Sequence, residues 1–215
     1  MTAQQIISKA KAELGVTENP AGSNNVKYNT WYYGREVHDH DINPTITYPW
    51  CVVFLAWLFK SEQGLLKKTA SSSDLYRWFK AKGQIALKPQ PGDIVFFKWD
   101  TKQSYIADHV GLVLSVSGNV INTIEGNTST TSQDNGGKVM QRNRYTNIVG
   151  YARPKYKASA GTLTNITGKS NEEIALEVRQ GKWGNNPERK QRLIAAGYDY
   201  NVIRDLVNNM YKGGK

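Results

Sequence analysis

The segment DHVGLVLSVSGNVINTIEGN (residues 108–127) contains two runs of alternating apolar and polar side chains, separated by Ser117, Gly118 and Asn119. Alternation with a period of two is typical of strands that bury one face, and a short loop with glycine favours a β-hairpin. If these three residues form the loop, one face of the hairpin is apolar. That face carries Val110, Leu112, Leu114, Val116, Val120 and Ile124. Core burial therefore favours this register over the one that a two-residue turn would produce.

The opposite face of the same hairpin is polar near its open end. In this register His109 lies opposite Asn127 and one diagonal step from Glu125. An imidazole can act as a general base, a carboxylate can fix its tautomer, and an amide can orient the ring or polarise a carbonyl group. The alternative is an edge histidine beside two ordinary polar residues.

Cys51 is the single cysteine of the chain and lies in YPWCVVFLAWLF (residues 48–59). Because proline is tolerated before a helix or in its first turn, Pro49 places Cys51 near a helix N-terminus. There the unpaired N–H groups and the helix dipole stabilise a thiolate. The helix alone leaves open the alternative that Cys51 is a small buried hydrophobe. With His109 as its base, Cys51 becomes a candidate nucleophile.

The order of patterns divides the chain into two domains and a linker. Residues 1–156 read as helices followed by short strands, which predicts an α+β domain. A loop rich in aromatic side chains is expected over residues 26–51. Residues 157–169 have the small, polar composition of a linker. Residues 170–215 predict three short helices, the first capped by Ser170 with Glu173 and the second starting near Pro187.

Composition limits the class of protein. The 215 residues carry a net charge of +10, which favours anionic partners such as nucleic acid, membrane surfaces or cell walls. A nucleic-acid function rests on charge alone, and no Lys/Arg run supports it, so we do not expect one. Neither a secretory signal nor a membrane-length apolar stretch is present, so we expect no membrane insertion. A monomer is expected.

The segment HDHDIN (residues 38–43) has alternating acidic side chains, as some calcium loops do. It lacks the glycine and the terminal glutamate of an EF-hand loop. We therefore predict a solvated loop at Asp39 and Asp41, with no metal or other cofactor.

Four segments in this order, YPWCVVFLAWLF, QPGDIVFF, DHVGLVLS and IEGNTS, resemble the CHAP domain of bacteriophage endolysins and bacterial wall hydrolases. The resemblance covers roughly residues 1–155. It implies a papain-like fold with N-terminal helices packed on an antiparallel sheet. It also implies Cys51 as nucleophile, His109 as general base, Glu125 as the residue that orients the histidine, and Asn127 as a fourth polar member. Trp50, next to the nucleophile, is a candidate for substrate contact.

Residues 171–208 are similar to the cell-wall-binding repeat of the Cpl-seven type, most clearly in GKWGNNPERKQRLIAAGYDY. The resemblance implies a three-helix bundle that recognises peptidoglycan. Asn185 and Arg189 are polar residues at the turn between the first two helices, and they are our candidates for sugar or peptide contact. Trp183, Leu193 and Tyr198 fit the core of a small bundle.

Together the two resemblances predict a phage-type endolysin that cleaves an amide bond in Gram-positive peptidoglycan. The enzyme would be an N-acetylmuramoyl-L-alanine amidase or a peptidoglycan endopeptidase, and the residues do not decide between them. The alternative is a non-catalytic wall-binding protein with an inactive CHAP-like domain. Without a signal peptide, the protein is expected in the host cytoplasm before lysis and at the wall after release.

Overall fold

The computed structural model describes residues 1–62, 64–101, 104–157, 169–196 and 198–212. The chain divides into two compact units, Met1–Tyr156 and Lys157–Lys215. The first combines helices with a sheet and the second is all helical, which confirms the predicted fold class. Apart from its two end residues, the linker predicted at 157–169 lies outside the described residues. Within the described ranges, no helix has the length and apolar character needed to cross a membrane.

Four helices precede the sheet in the first unit. A capping box between Thr2 and Gln5 starts the first of them, and Ser71 caps the fourth by accepting from the Asp74 N–H. The helices are α1 (Ala3–Ala12), α2 (Lys27–Tyr33), α3 (Cys51–Leu58) and α4 (Ser72–Ala81).

Helix α2 lies where the sequence predicted only a loop, so that part of the prediction is wrong. Its sequence, KYNTWYY, has no aliphatic residue at helical spacing, and tertiary packing supplies the stability that the local pattern does not predict. Tyr28 and Asn29 are fully buried on its inner face. Gly34 ends the helix in a left-handed conformation with φ of 75°.

The described strands form one six-stranded antiparallel sheet with the order β1-β6-β2-β3-β4-β5. The long hairpin β3–β4 therefore lies inside the sheet. The strands are β1 (Ile85–Ala86), β2 (Ile94–Phe97), β3 (His109–Ser117), β4 (Val120–Thr128), β5 (Lys138–Arg144) and β6 (Ile148–Ala152).

The β3–β4 turn is shorter than predicted, yet the predicted pairing holds farther along the hairpin. Only Gly118 and Asn119 lie between the strands, so the pairing next to the turn is shifted by one residue from the prediction. A bulge at Leu114 adds a residue to β3 and cancels the shift. Leu112 then pairs with Ile124, as the predicted register requires.

The bulge also changes which side chains face the core. Val116 and Val120 lie on the turn side of the bulge and are 39% and 36% exposed, so their predicted burial is wrong. On the face of the sheet that carries Glu125, Val113 and Ile121 are buried in a separate small cluster with Val95 and Phe97. The predicted apolar face holds between the bulge and the open end, where Val110, Leu112 and Ile124 join the main core and Leu114 packs against it.

Helix α3 is the centre of that main core. All of its side chains except Trp57 are buried, and it packs against α1, α2, β3 and β4. Full burial of a side chain such as Phe54 or Leu55 contributes about 1.5–3 kcal/mol each. The apolar run therefore fixes α3, and with it Cys51 at its first position, against the hairpin.

Gly126 on β4 allows this close packing. A Cβ atom at Gly126 would lie 2.6 Å from the Cβ of Phe54 and 2.9 Å from the ring of Trp50. A glycine in a strand often marks such a close approach of another element. The helix can therefore touch the backbone of β4 one residue after Glu125.

The second unit contains α5 (Asn171–Arg179), α6 (Glu188–Ala195) and α7 (Tyr200–Lys212). The predicted capping box of Ser170 and Glu173 is present, and Pro187 precedes α6 as its N-cap residue. Leu193 and Tyr198 are buried in the bundle core, and Trp183 packs against it as predicted. The core consists of Ile174, Ala175, Val178, Leu193, Tyr198, Ile203 and Val207.

We predict that Gly126→Ala destabilises the first unit by about 1–3 kcal/mol, because the methyl group forces α3 away from β4. Gly150→Ala is the matched control, since its Cβ would meet only Tyr76 at 3.6 Å, an ordinary contact. Denaturant unfolding of the two variants measures the difference. Equal stability of both variants would contradict the close-packing account.

Candidate active site

Cys51 is the first residue of α3, and its side chain is 5% exposed. The first N–H groups of a helix have no partner within the helix, and no described side chain caps this one. These N–H groups and the helix dipole favour negative charge at the thiol. The structure therefore places Cys51 where the sequence predicted, at a helix start.

His109 and Glu125 lie side by side on β3 and β4, and both side chains are fully buried. Nε2 of His109 is 3.0 Å from Oε2 of Glu125. Gly111 leaves room for this contact, because a Cβ there would lie 2.7 Å from Cγ of Glu125. Since an ionised carboxylate can only accept, Nε2 carries a proton and Nδ1 is the other reactive nitrogen.

Arg144 and Thr123 hold Glu125 from the other side. The guanidinium of Arg144 donates to both carboxylate oxygens, with Nε 2.8 Å from Oε1. The hydroxyl of Thr123 also donates to Oε1, at a distance of 2.5 Å. This double contact is the bidentate form of a guanidinium–carboxylate pair.

Sequence reasoning missed Arg144, the last residue of β5, because the partner of a buried carboxylate depends on how β5 pairs with β4. In the structure Arg142 pairs with Thr123 and Arg144 pairs with Ile121. Cross-strand partners lie on the same face, so both arginines share the face of Glu125. Their spacing of two residues in KVMQRNR was the available signal.

Cys51 and Glu125 together set the charge of His109. Burial alone lowers the pKa of His109, but hydrogen bonding and charge interaction with Cys51 and Glu125 raise it to about 9. Burial likewise opposes ionisation of Glu125, yet Arg144 and His109 lower its pKa to about 2. At neutral pH the site therefore contains an imidazolium beside an ionised carboxylate.

The thiol of Cys51 acts on the imidazole of His109 without a hydrogen bond of ordinary geometry at Nδ1. Nδ1 of His109 is buried and makes no hydrogen bond of ordinary geometry to any atom in the described ranges. The thiol nevertheless lies near enough to raise the pKa of the imidazole. Such contacts commonly tighten only when substrate binds.

Two aromatic rings cover the imidazole. The ring of Trp99 lies 5.5 Å from that of His109, and the ring of Phe97 lies 6.0 Å away. The guanidinium of Arg144 lies over the same two aromatic rings, at 5.0 Å from Trp99 and 5.3 Å from Phe97. The rings keep water from the charged groups and strengthen their interactions.

Asn127 lies at the same end of β4, but its amide does not bond to His109. Oδ1 accepts from the Gly137 N–H at 3.1 Å, and Nδ2 donates to Asn135 at 3.2 Å. Asn127 itself has φ of 58°. The first predicted role of Asn127, orienting the imidazole, is therefore corrected, since its amide holds the loop that connects β4 to β5. Its other predicted role, polarising a carbonyl group, stays a prediction.

The structure also corrects the predicted role of Trp50 in substrate binding. Its side chain is fully buried, and its indole N–H donates to Oε1 of Glu18 at 2.8 Å. The ring packs against Tyr28 with centroids 5.4 Å apart. A buried indole with these partners positions the start of α3 and does not present a surface to a ligand.

The acidic residues of the loop before Cys51 are already bound to protein groups. Asp39 accepts from Asn24 and from the Tyr48 N–H. Asp41 accepts from Arg35 and Tyr48, and these contacts, led by Arg35, lower its pKa to about 2. Among the described residues, no cluster of three His, Cys, Asp or Glu side chains is arranged to hold a metal ion.

In the second unit, Arg189 lines a cavity of about 250 Å³ together with Asn186, Tyr200 and Arg204. Asn185 accepts from the guanidinium of Arg189 at 3.1 Å, so it braces Arg189 without lining the cavity itself. The two candidate binding residues are thus in contact, but only Arg189 lines the cavity.

The geometry of the first unit suits acyl transfer. A thiol at a helix N-terminus can attack a carbonyl carbon, and an imidazolium beside it can protonate a leaving group. The carboxylate holds the imidazole in one orientation, as the third member of a triad does.

Two family models match the chain. Residues 43–127 match the CHAP domain, and residues 172–210 match the CW_7 repeat. The first match includes Cys51, His109 and Glu125, and the second includes Asn185 and Arg189. The chain therefore carries a CHAP domain followed by a CW_7 repeat.

Comparison with solved structures finds the crystal structure of Ly7917 and that of Ly7917 with the hydrolyzing product of MDP. In each case the identity is 14% and the TM-score is 0.45. The alignments cover 72% and 71% of this chain but 62% and 63% of those chains, so less than two thirds of Ly7917 is spanned. No curated protein sequence matches the chain.

We predict that the imidazole of His109 titrates near pH 9 and that Glu125→Gln lowers this pKa, because the amide removes a charge that favours imidazolium. Cys51→Ala is expected to lower the pKa as well. NMR titration of the histidine ring signals measures both shifts. The exposed Glu36→Gln is the matched control, and an unchanged His109 pKa in both site variants would contradict the charge assignment.

We predict that Arg144→Met costs about 3–5 kcal/mol of unfolding free energy, because it leaves the Glu125 carboxylate buried without its cation. Combining it with Glu125→Gln should cost less than the sum of the two single changes. A double-mutant cycle from denaturant unfolding measures the coupling. Additive costs would mean that the two side chains do not stabilise one another.

Proposed function

We propose that the chain is a phage-type endolysin: a cysteine-dependent peptidoglycan hydrolase that cleaves an amide bond in Gram-positive cell walls. The observation that carries the proposal is the buried His109–Glu125 pair beside the thiol that begins α3. The matches to the CHAP domain and the CW_7 repeat support the same conclusion, since one suits amide hydrolysis and the other wall binding.

In the proposed reaction, the Cys51 thiolate attacks the carbonyl carbon of the amide. The C–N bond breaks as Nδ1 of the His109 imidazolium gives its proton to the leaving amine. With its pKa raised to about 9, His109 is protonated at neutral pH and holds that proton ready. Water then attacks the thioester, neutral His109 takes its proton, and the acid product leaves with Cys51 restored as thiolate.

The start of α3 also provides for the charge that develops on the carbonyl oxygen. Backbone N–H groups of the first turn have no helical partner and point toward the thiol end of the helix. Preorganised donors of this kind stabilise a tetrahedral oxyanion, and removing a single donor from such a site typically costs about 10²–10³ in rate. Trp50, held by Glu18, keeps these groups in place.

The second unit would raise the local concentration of substrate. Its cavity combines Arg189 and Arg204 with Tyr200 and Asn186, which suits the amide, hydroxyl and carboxylate groups of peptidoglycan. The net charge of +10 favours association with a wall rich in anionic polymers.

The two forms of the proposal differ in the bond that is cut. An N-acetylmuramoyl-L-alanine amidase releases a free lactyl carboxylate on the sugar and a free alanine amino group. A peptidoglycan endopeptidase instead creates new peptide ends within the stem or cross-bridge. Mass spectrometry of fragments released from purified walls distinguishes them directly.

We predict that Cys51→Ala abolishes release of soluble fragments from Gram-positive walls, by at least about a thousandfold, while wall binding is retained. Turbidity and fragment analysis measure hydrolysis, and co-sedimentation with walls measures binding. The buried Ala56→Ser provides a control for a small change in the same helix that leaves the thiol intact.

Two results would contradict the proposal. A Cys51→Ala protein that clears walls as fast as the native chain would remove the cysteine mechanism. Binding by the native chain without any released fragments would favour the alternative, a non-catalytic wall-binding protein.

A further inference from the structure

A cavity of about 400 Å³ lies beside the proposed catalytic residues but does not include them. Trp99 forms one wall, and its ring lies 5.5 Å from the ring of His109. Arg144, which holds Glu125, lines the same cavity. The volume is in the range of small-ligand sites, about 300–1,000 Å³.

The cavity carries one positive charge in excess. Arg144 is paired with Glu125, whereas Arg142 donates to a backbone carbonyl at Ser129 and to the side-chain amide of Gln133. Within the described part of the chain, no carboxylate forms an ion pair with Arg142. Two guanidinium groups therefore face a single carboxylate.

The surroundings of Arg142 disfavour its positive charge, and a bound anion would stabilise that charge. Its burial and the nearby charge of Arg144 lower the pKa of Arg142, which means that both disfavour its cationic form. A bound anion would offset these effects. A planar guanidinium binds a carboxylate through two parallel hydrogen bonds.

We propose that this cavity is a subsite for a carboxylate-bearing peptide segment of the substrate, with Arg142 as its specificity-determining residue. The inference rests on the proposed function, and it names the part of peptidoglycan that lies beside the scissile amide. Asn143 and Asn147 line the same cavity and supply amide groups that suit a peptide backbone. In a peptide, an acidic side chain or the C-terminus supplies a carboxylate close to the backbone amides.

A wall polymer phosphate is the competing anion, and the position of the cavity disfavours it. Trp99 lines the cavity and its ring lies 5.5 Å from that of His109, so a group bound in the cavity lies near the proposed scissile bond. A phosphate polymer contains no amide bond, so it is not the molecule that carries the bond proposed to be cut. The carboxylate of the peptide therefore fits the location better.

The test uses the full-length Cys51→Ala protein, which binds without turnover. Calorimetry compares a muropeptide that ends in a free carboxylate with the same molecule ending in a carboxamide. We expect about tenfold tighter binding of the carboxylate form. Arg142→Gln should abolish this preference, and Arg142→Lys should keep part of it. The exposed Arg77→Gln, which makes the same change of charge, should leave it intact.

Three outcomes would overturn the subsite. The first is that Arg142→Gln weakens the binding of both ligands equally, and the second is that the preference for the carboxylate form survives Arg142→Gln. The third is that a glycerol phosphate oligomer displaces both forms of the muropeptide alike. In the protein with Cys51 intact, Arg142→Gln should raise KM for the carboxylate ligand about tenfold with kcat unchanged. Failure of the native chain to release fragments from walls would instead refute the proposed function. Calorimetry measures binding without hydrolysis, so the two failures can be told apart.

Discussion

The buried contact between Glu125 and the side chains around it is the interaction on which the site depends. Burying a carboxylate costs several kcal/mol unless its oxygens are well paired. Here Arg144 binds both oxygens, Thr123 binds one, and His109 binds the other. Thr123 shares β4 with Glu125, whereas His109 comes from β3 and Arg144 from β5. The carboxylate is therefore fully paired only when these three strands pair in this register. The protonation of His109 therefore depends on the register of the sheet, because a slip of one residue in the pairing would turn Glu125 to the other face.

The position of helix α3, which carries the thiol, is fixed by a separate steric contact with β4. Gly126 follows Glu125 directly, and because strand side chains alternate, its missing Cβ lies on the face that meets Phe54 and Trp50. The carboxylate on one face and the close packing on the other are thus adjacent in sequence. Glu18 adds a polar restraint by accepting from the Trp50 indole in the buried interior. Two adjacent residues therefore position both groups: Glu125 holds the imidazole of His109, and Gly126 sets how closely α3, which carries the thiol, packs on β4.

Much of this could be predicted from local patterns. The alternation in β3 and β4 indicated a face with His109 and Glu125, and Pro49 indicated a helix start at Cys51; the structure shows both arrangements. The turn was wrong because an apolar pattern cannot distinguish a three-residue loop from a two-residue turn followed by a bulge at Leu114. Helix α2 and Arg144 were missed for a different reason. Both depend on packing between segments distant in sequence, which periodicity within one segment does not encode. The roles predicted for Asn127 and Trp50 could not anticipate their hydrogen-bond partners, Gly137 and Glu18, because those partners lie in other segments of the chain.

The order of charges across the site bears on the proposed binding of substrate. From the thiol outward, groups that favour opposite charges alternate: Cys51, His109, Glu125 and Arg144. Arg142 then leaves the outer face of this row positive. Because the groups of the row are largely buried, salt screens their interactions far less than it screens surface charges. The positive face therefore has a fixed direction relative to Cys51 and His109, whereas the net charge of +10 has no such direction and favours association with any anionic surface. In the proposed function, wall attraction and substrate orientation thus arise from different charges. A neutral residue at Arg142 would act on the second while it lowers the net charge only from +10 to +9.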